Sequence, residues 1–278
     1  MNKLLLVDGS NLLFQMFYGM PSRILNHKGK PIWGILGFIG ALLKMMNHIQ
    51  PTHILVLFDG EHENTRTELY PEYKANRIDY SAIPEEETPF FQLNDIYRAL
   101  SHLNIKFKEI TDNETDDYIA SYVAKYEKQI SIVIASWDSD YFSLISKNVS
   151  ILRYRGKKSY LCDIPYLQNK LGIVPKQYSF YKALVGDASD HIKGIHKIGP
   201  ISAARIVNSY SSVEELYLNL ENDPQKHLLQ NQKEKLLLNQ KLIEFQNTLL
   251  VPYELDELYY KNKEIKTIEV LKAISVLA

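Results

Sequence analysis

The chain has 278 residues, 45% hydrophobic and 23% charged, enough for one large domain or one domain with a small appendage. Its 32 basic and 33 acidic residues nearly cancel, to −1, so net charge does not announce a nucleic-acid partner. It admits one if acids gather at a site and bases lie elsewhere. One cysteine, Cys162, excludes an internal disulfide and fits a reducing compartment. No apolar run approaches the roughly 20 residues of a membrane helix, and the run at 4–7, closed by Asp8, is too short for a signal-peptide core. A cytoplasmic protein with no membrane partner is expected.

Residues 3–7 read as a buried strand, and Asp8-Gly9-Ser10-Asn11 as the turn that ends it. Residues 34–49 carry helix-period apolar positions, with Trp33 and Phe38 expected to pack that helix. Residues 53–58 form a second buried strand, closed by Asp59-Gly60. The stretch 61–89 is polar, acidic and poor in core residues, a long excursion of the kind that is functional or disordered in a compact domain. A helix is expected over 87–103, a strand over 104–110, and a helix over 113–128 capped by Asn113 or Thr115. A third buried strand, 130–135, ends in Ser136-Trp137-Asp138-Ser139-Asp140. Residues 149–154 and 158–162 are expected to pair as a hairpin around Gly156, and from Asp163 onward the pattern is helical, with a glycine-containing turn at 193–200. Strands alternating with helices early, then helices alone, argue an α/β sheet with a helical C-terminal part.

Three predicted strands therefore end in aspartate: Asp8, Asp59, and Asp138 with Asp140. Sites in open parallel sheets form outside the carboxyl ends of the strands. Glu114, Asp116 and Asp117 open a helix, with Glu114 and Asp117 on one face, and Asp187 and Asp190 repeat that spacing after an apolar helix. Taken singly, each acid has an ordinary explanation as a turn former or a first-turn residue. Together, converging strand ends would crowd negative charge that needs cations to hold it. Hard oxygen donors suit Mg²⁺ or Mn²⁺, and a pair of such ions can clamp the attacking and leaving oxygens of a phosphodiester.

The order of these motifs resembles the bacterial and phage 5′-nucleases, namely the 5′-3′ exonuclease domain of DNA polymerase I and its stand-alone flap-endonuclease relatives. The resemblance runs from about 4 to about 210. It is carried by Leu6-Val7-Asp8-Gly9, Phe58-Asp59, Tyr73-Lys74-Ala75-Asn76-Arg77, Glu114-Thr115-Asp116-Asp117, Asp138-Ser139-Asp140 and Gly186-Asp187-Ala188-Ser189-Asp190. It implies a PIN-like, largely parallel central sheet flanked by helices. The nuclease core would span 1–162, with an arch-like insertion at about 61–90. A helical C-terminal region, 163–278, would hold a helix–hairpin–helix-like DNA clamp at about 186–210, the whole forming one compact unit. It implies one metal site from Asp8, Asp59, Glu114, Asp116 and Asp138, with Asp117 close by. A second would come from Asp140, Asp187 and Asp190, with Asp138 near both. The activity implied is 5′-directed hydrolysis of DNA at flaps, nicks and ends, in replication or repair, by a monomer using two divalent ions.

In that family the 61–90 segment arches over the metals. Lys74 and Arg77 would then face the scissile phosphate, Tyr73 would stack on a base and Arg66 would contact another phosphate. On composition alone the segment reads as a solvated, mobile loop. Likewise, 191–210 reads as an ordinary helix connection with three bases and no acid. The resemblance makes it the duplex clamp, with Lys193, Gly194, Lys197, Gly199, Ser202 and Arg205 at the DNA and, in some relatives, a K⁺ ion held by backbone carbonyls. Departures fall mainly here. His191 stands where asparagine is usual, Lys197 where glycine is usual, and Pro200 and Ser202 replace a charged residue and a threonine. Ser139 replaces a lysine and Thr115 an alanine.

Two other classes compete. A phosphatase built on strand-end aspartates wants a second aspartate two residues after the first, and Ser10 stands there. A non-catalytic branched-DNA-binding relative would have lost carboxylates, and here they are all retained. The histidines show no zinc spacing, and no Walker-type loop is present.

Overall fold

The computed structural model describes residues 2–60, 65–261 and 263–276. Three apolar segments form the parallel strands β1 (Lys3–Asp8), β2 (His53–Asp59) and β4 (Ser131–Ala135), flanked by the charged, mostly exposed edge strand β3 (Lys106–Ile110) and continued by β5 (Val149–Arg153) and by the antiparallel β6 (Tyr160–Cys162). The strand order is β3-β2-β1-β4-β5-β6. Central strands β1, β2 and β4 read as unbroken apolar runs because both faces are covered. Leu4, Leu6, Leu55 and Leu57 enter one core; Leu5, Val7, Ile54, Val56 and Phe58 enter the other.

The predicted turn after β1 is absent. Asp8 caps a helix, α1 (Gly9–Gly19), by accepting from Asn11 N–H, and the chain enters that helix directly. Gly9 is needed for closeness: a Cβ there would meet Leu57 O and the Phe58 ring at 2.7 Å. Helix α2 (Trp33–Ile49) packs over the same face, with Trp33 and Phe38 buried as expected. A short α3 (Thr65–Leu69) stands in the arch segment, whose residues 61–64 lie outside the described ones. The helix expected over 87–103 is α4 (Leu93–His102). Three short 3₁₀ turns precede it, and Gln92 in the last of them accepts from Ile35 N–H.

Helix α5 (Thr115–Tyr126) starts without a side-chain cap of its own. Instead Asp59 Oδ1 accepts from Thr115 N–H at 3.1 Å, so strand β2 terminates the helix and neither Asn113 nor Thr115 serves as the cap. The C-terminal part holds α6 (Ile164–Leu171), α7 (Tyr178–Val185), α8 (Pro200–Ser209), α9 (Val213–Leu218), α10 (Lys226–Leu229) and α11 (Lys233–Ile243). It is not helical throughout. Residues 186–187 and 192–193 pair as a small antiparallel ribbon, and 244–261 and 263–266 are extended or irregular apart from the 3₁₀ turn Leu255–Leu258. That stretch brings Tyr260 N–H to Thr52 O beside β2, and α12 (Thr267–Ala273) ends against α2 and α4 through Val270 and Leu271. No helix among the described residues is long and apolar enough to cross a membrane.

Candidate metal centre

The strand order reverses between β1 and β4, and in open α/β sheets that switch point opens a crevice at the strand carboxyl ends. Asp8 and Asp138 follow those two strands, and Asp59 ends β2 beside them. Asp8 Oδ2 accepts from Ser136 Oγ at 2.9 Å, and Ser136 Oγ in turn accepts from Asp138 N–H at 3.0 Å, so one serine ties the two strand ends. Asp138 Oδ1 accepts from Asp140 N–H at 2.8 Å. The buried Tyr141 hydroxyl donates to Asp116.

The electrostatics of this cluster are unfavourable without cations. Burial, with the charges of Asp59 and Asp138, pushes the Asp8 carboxyl up to about 7. Burial and then Asp138, Asp8 and Asp59 hold Asp116 well above the usual range. Burial and Asp138 push Asp140 to about 7 despite Lys182. Asp138 is therefore a common neighbour of both halves of the cluster, and its charge also helps raise Asp190 after burial.

Asp140, Asp187 and Asp190 each bring a carboxylate oxygen within 4.8 Å of the others. Asp140 Oδ1 is buried without a directed hydrogen bond, although the Lys182 ammonium lies 2.9 Å away. Lys182 contacts Asp187 as well. With Ser189 it outweighs burial and holds Asp187 below the usual carboxylate value. This buried lysine stands where a cation is needed, and the sequence reading passed over it. Its signal was a lone charge within the apolar helix α7. The remaining set, Asp8, Asp59, Glu114, Asp116 and Asp138, contains no trio as compact among the described residues. It is a wider cup, suited to an ion that keeps several waters. Hard oxygen donors, a carboxylate trio within 4.8 Å and mutually raised carboxyls all fit divalent ions.

Several expected residues stand elsewhere. Asp117 has no exposed surface and is gripped by Arg66 through two parallel bonds, Nη1 to Oδ2 at 2.9 Å and Nη2 to Oδ1 at 2.8 Å. Arg66 also donates to Glu114 Oε2 and to the carbonyls of Leu242 and Glu244. Both are thus interior partners: Asp117 is turned to Arg66, and the Arg66 guanidinium is occupied by Asp117, Glu114 and two carbonyls. The Tyr73 ring is 5% exposed, with its hydroxyl at Glu114 and Asp190, so no face is free to stack on a base. Glu114 meets Lys74 Nζ at 2.5 Å through Oε1, which places Lys74 at the centre. Arg77 reaches Asp190 at 3.3 Å with its side chain 60% exposed.

Residues 72–76 are latched to the loop carrying Asp187 and Asp190. Lys74 N–H donates to Asp190 O, Asn76 Nδ2 to Ala188 O, and the His191 ring meets Glu72 O at 3.0 Å. In the clamp region Lys193 pairs with Glu72, and Arg205 with Asp223 and Gln225. A Cβ at Gly194 would lie 2.3 Å from Val185 C, so close packing against Val185 and Gly186 requires this glycine. Gly199 opens α8 with free space beside it, Ser202 follows in its first turn, and Lys197 is exposed at φ 65°.

Fold and site together define a PIN-like α/β protein with a helical C-terminal part and an acidic centre of hard oxygen donors at the switch point. Residues 3–172 match the family model of the 5′-3′ exonuclease N-terminal resolvase-like domain, and residues 173–266 that of the 5′-3′ exonuclease C-terminal SAM fold. The chain belongs to the 5′-3′ exonuclease family. It is 31% identical over 273 residues to a 5′-3′ exonuclease of Buchnera aphidicola subsp. Acyrthosiphon pisum, covering 94% of this chain and 92% of that one. It is 30% identical over 282 residues to DNA polymerase I of Borreliella burgdorferi, where it spans only 30% of the relative's length. The fold matches the bacteriophage T5 5′-exonuclease with bound zinc, at TM-score 0.71 and 20% identity over 99% of this chain and 96% of that one. A T5 flap endonuclease complex with DNA and metal ions matches at TM-score 0.72 and 20% identity, covering 99% and 100%.

Proposed function

We propose that the chain is a metal-dependent 5′-nuclease that hydrolyses DNA phosphodiesters at 5′ flaps, nicks or ends. The observation that carries this reading is the convergence of Asp8, Asp116 and Asp140, all held above their ordinary ionisation range, around the shared neighbour Asp138. Asp8, Asp59, Glu114, Asp116 and Asp138 would hold one Mg²⁺ or Mn²⁺, and Asp140, Asp187 and Asp190 the other. Divalent ions held there would activate a water and offset charge on the phosphate oxygens.

The chain's own residues do the rest. Ser136 and Tyr141 donate hydrogen bonds that orient Asp8 and Asp116. Lys74, paired with Glu114, would re-aim its ammonium at the scissile phosphate as that group enters, with Arg77 beside it. Lys193, Lys197, Gly199, Ser202 and Arg205 lie on the clamp that would hold the duplex. Lys193 leaves the exposed Glu72 on binding, an inexpensive exchange because exposed pairs contribute about 0–1 kcal/mol, whereas Arg205 keeps its bonds to the buried Asp223.

Incubation of 5′-flap DNA, labelled at its 5′ end, with Mg²⁺ and then with excess EDTA tests the reading. Cutting that needs the ion supports it. DNA binding without cutting at any Mg²⁺ or Mn²⁺ concentration would leave only a binding module.

A further inference from the structure

The β5–β6 hairpin ends in Arg155-Gly156-Lys157-Lys158, and this tip plays no part in the centre described above. No Asp or Glu occurs from 141 through 162. Arg155, Lys157 and Lys158 are exposed, and none forms an ion pair with a described residue. Three unpaired bases within four residues form a strongly cationic patch on a chain whose overall charge is −1.

Topology fixes where this patch lies. Strand β5 runs parallel to β4 and β1, so its carboxyl end opens on the same edge of the sheet as Asp8 and Asp138. With strands spaced about 4.8 Å apart, the hairpin root stands roughly 5 Å from the end of β4 and 10 Å from that of β1. The root is braced to the site: Tyr154 O accepts from Gln15 Nε2 at 2.8 Å and from Trp137 Nε1 at 2.9 Å. Gln15 belongs to α1, and Trp137 directly precedes Asp138. The tip is itself ordered by Ser159 Oγ, which accepts from Arg155 N–H at 2.8 Å and donates to Gly156 O at 2.6 Å. Gly156 sits at φ 58°, the left-handed conformation that favours glycine.

A preorganised cationic tip at the rim of an acidic centre matches a polyanion running past that centre. We propose that Arg155, Lys157 and Lys158 form a separate phosphate-binding element. They grip the sugar–phosphate backbone of duplex DNA at phosphates about three to five nucleotides from the cut, given some 10–15 Å of reach and about 3.4 Å per nucleotide. The inference rests on the nuclease reading for its substrate, and on the hairpin alone for its location.

The test compares the full-length protein with Arg155→Ala/Lys157→Ala/Lys158→Ala. Binding to 5′-flap duplex is measured in EDTA, which stops cutting, across a salt series. Lys147→Ala serves as control, since that exposed lysine lies before β5, at the opposite edge of the sheet. The expected result is a plot of log affinity against log salt that is shallower by about 2–3 for the triple variant, with affinity at low salt at least about tenfold weaker. Lys147→Ala should match the parent. Single-turnover cutting at saturating DNA in Mg²⁺ should stay within twofold of the parent. Unchanged salt dependence in the triple variant, or an equal change with Lys147→Ala, would overturn the proposal. A parent that binds but never cuts would instead defeat the nuclease reading, and the salt comparison would still decide the role of the tip. The single variant Lys157→Glu, which alters no described contact, repeats the test should the triple variant melt early: weakened binding supports the tip and parental binding refutes it.

Discussion

Arg66 and Asp117 form a bidentate ion pair in which the carboxylate has no solvent exposure and the guanidinium next reaches the carbonyls of Leu242 and Glu244. The pair joins the arch base, the first turn of α5 and the end of α11. Removing one partner leaves a buried charge uncompensated, which typically costs about 3–5 kcal/mol. Arg66→Ala is therefore expected to lower the unfolding free energy by an amount on that scale, read as a lower urea midpoint at an unchanged m value. Denaturation at fixed pH, with no DNA present, checks it. An unchanged midpoint with weakened DNA binding would restore Arg66 as a phosphate contact.

Lys182 acts as a built-in counter-ion for Asp140 and Asp187. Lys182→Met keeps the volume and removes the charge, so the three aspartates repel one another until a divalent ion arrives. The melting temperature in EDTA should fall, and the gain on adding Mg²⁺ should exceed that of the parent. Equal gains in the two proteins would place the ion elsewhere.

Asp8 and Asp140 have folded pKa values of about 7, against an ordinary 3.8. The folded, metal-free protein thus keeps protons that the unfolded chain releases. The resulting loss of stability is absent below about pH 4, grows through the interval and is complete above about pH 7. Divalent ions need the carboxylates ionised, so the Mg²⁺-dependent rise in melting temperature should increase from about pH 5 to 8. Paired melts with Mg²⁺ and with EDTA measure it; a flat difference across that range would contradict the cluster's electrostatics.

Lys74 is half-buried against Glu114, with its backbone at φ 56° and its N–H held by Asp190 O. Lys74→Ala is expected to lower single-turnover cleavage by about 10²–10³-fold, or roughly 2.7–4 kcal/mol, while DNA affinity changes little. A pure affinity defect would move Lys74 to substrate positioning.

Lys197 adopts φ 65°, the conformation glycine accepts without strain. Lys197→Gly should stabilise the turn by about 1 kcal/mol, since a non-glycine residue there costs about 1–3 kcal/mol and glycine loses part of that gain to unfolded-state entropy. It should also tighten duplex binding at moderate salt. Denaturation and filter binding report the two effects, and weaker binding at every salt concentration would make the lysine a phosphate contact.

The sheet was legible because buried parallel strands read as unbroken apolar runs closed by Asp8, Asp59 and Asp138. Helix α1 was not, because Asp-Gly-Ser-Asn is also turn chemistry. Its helical signal was the spacing of Leu12, Leu13, Met16 and Phe17 against the core. The carboxylates were legible as a set, but their division was not. Asp116 and Asp117 are adjacent in sequence, yet helix geometry sends one toward Asp138 and the other toward Arg66. The partner that decides between them lies 51 positions away from Asp117. Arg66 and Tyr73 carry the chemistry of DNA contacts, and only packing against α5 and the 186–191 loop shows them facing inward.

The central claim is that the carboxylates around Asp138 carry out divalent-dependent DNA hydrolysis. Single-turnover cleavage of 5′-flap DNA at saturating Mg²⁺, comparing the parent with Asp138→Asn, addresses it most directly. The substitution is nearly isosteric and relieves repulsion on Asp8, Asp116 and Asp140, so the melting temperature in EDTA should hold or rise. Cleavage is expected to fall by about 10²-fold or more, the scale of a lost transition-state contact. Turnover within tenfold of the parent would contradict the account.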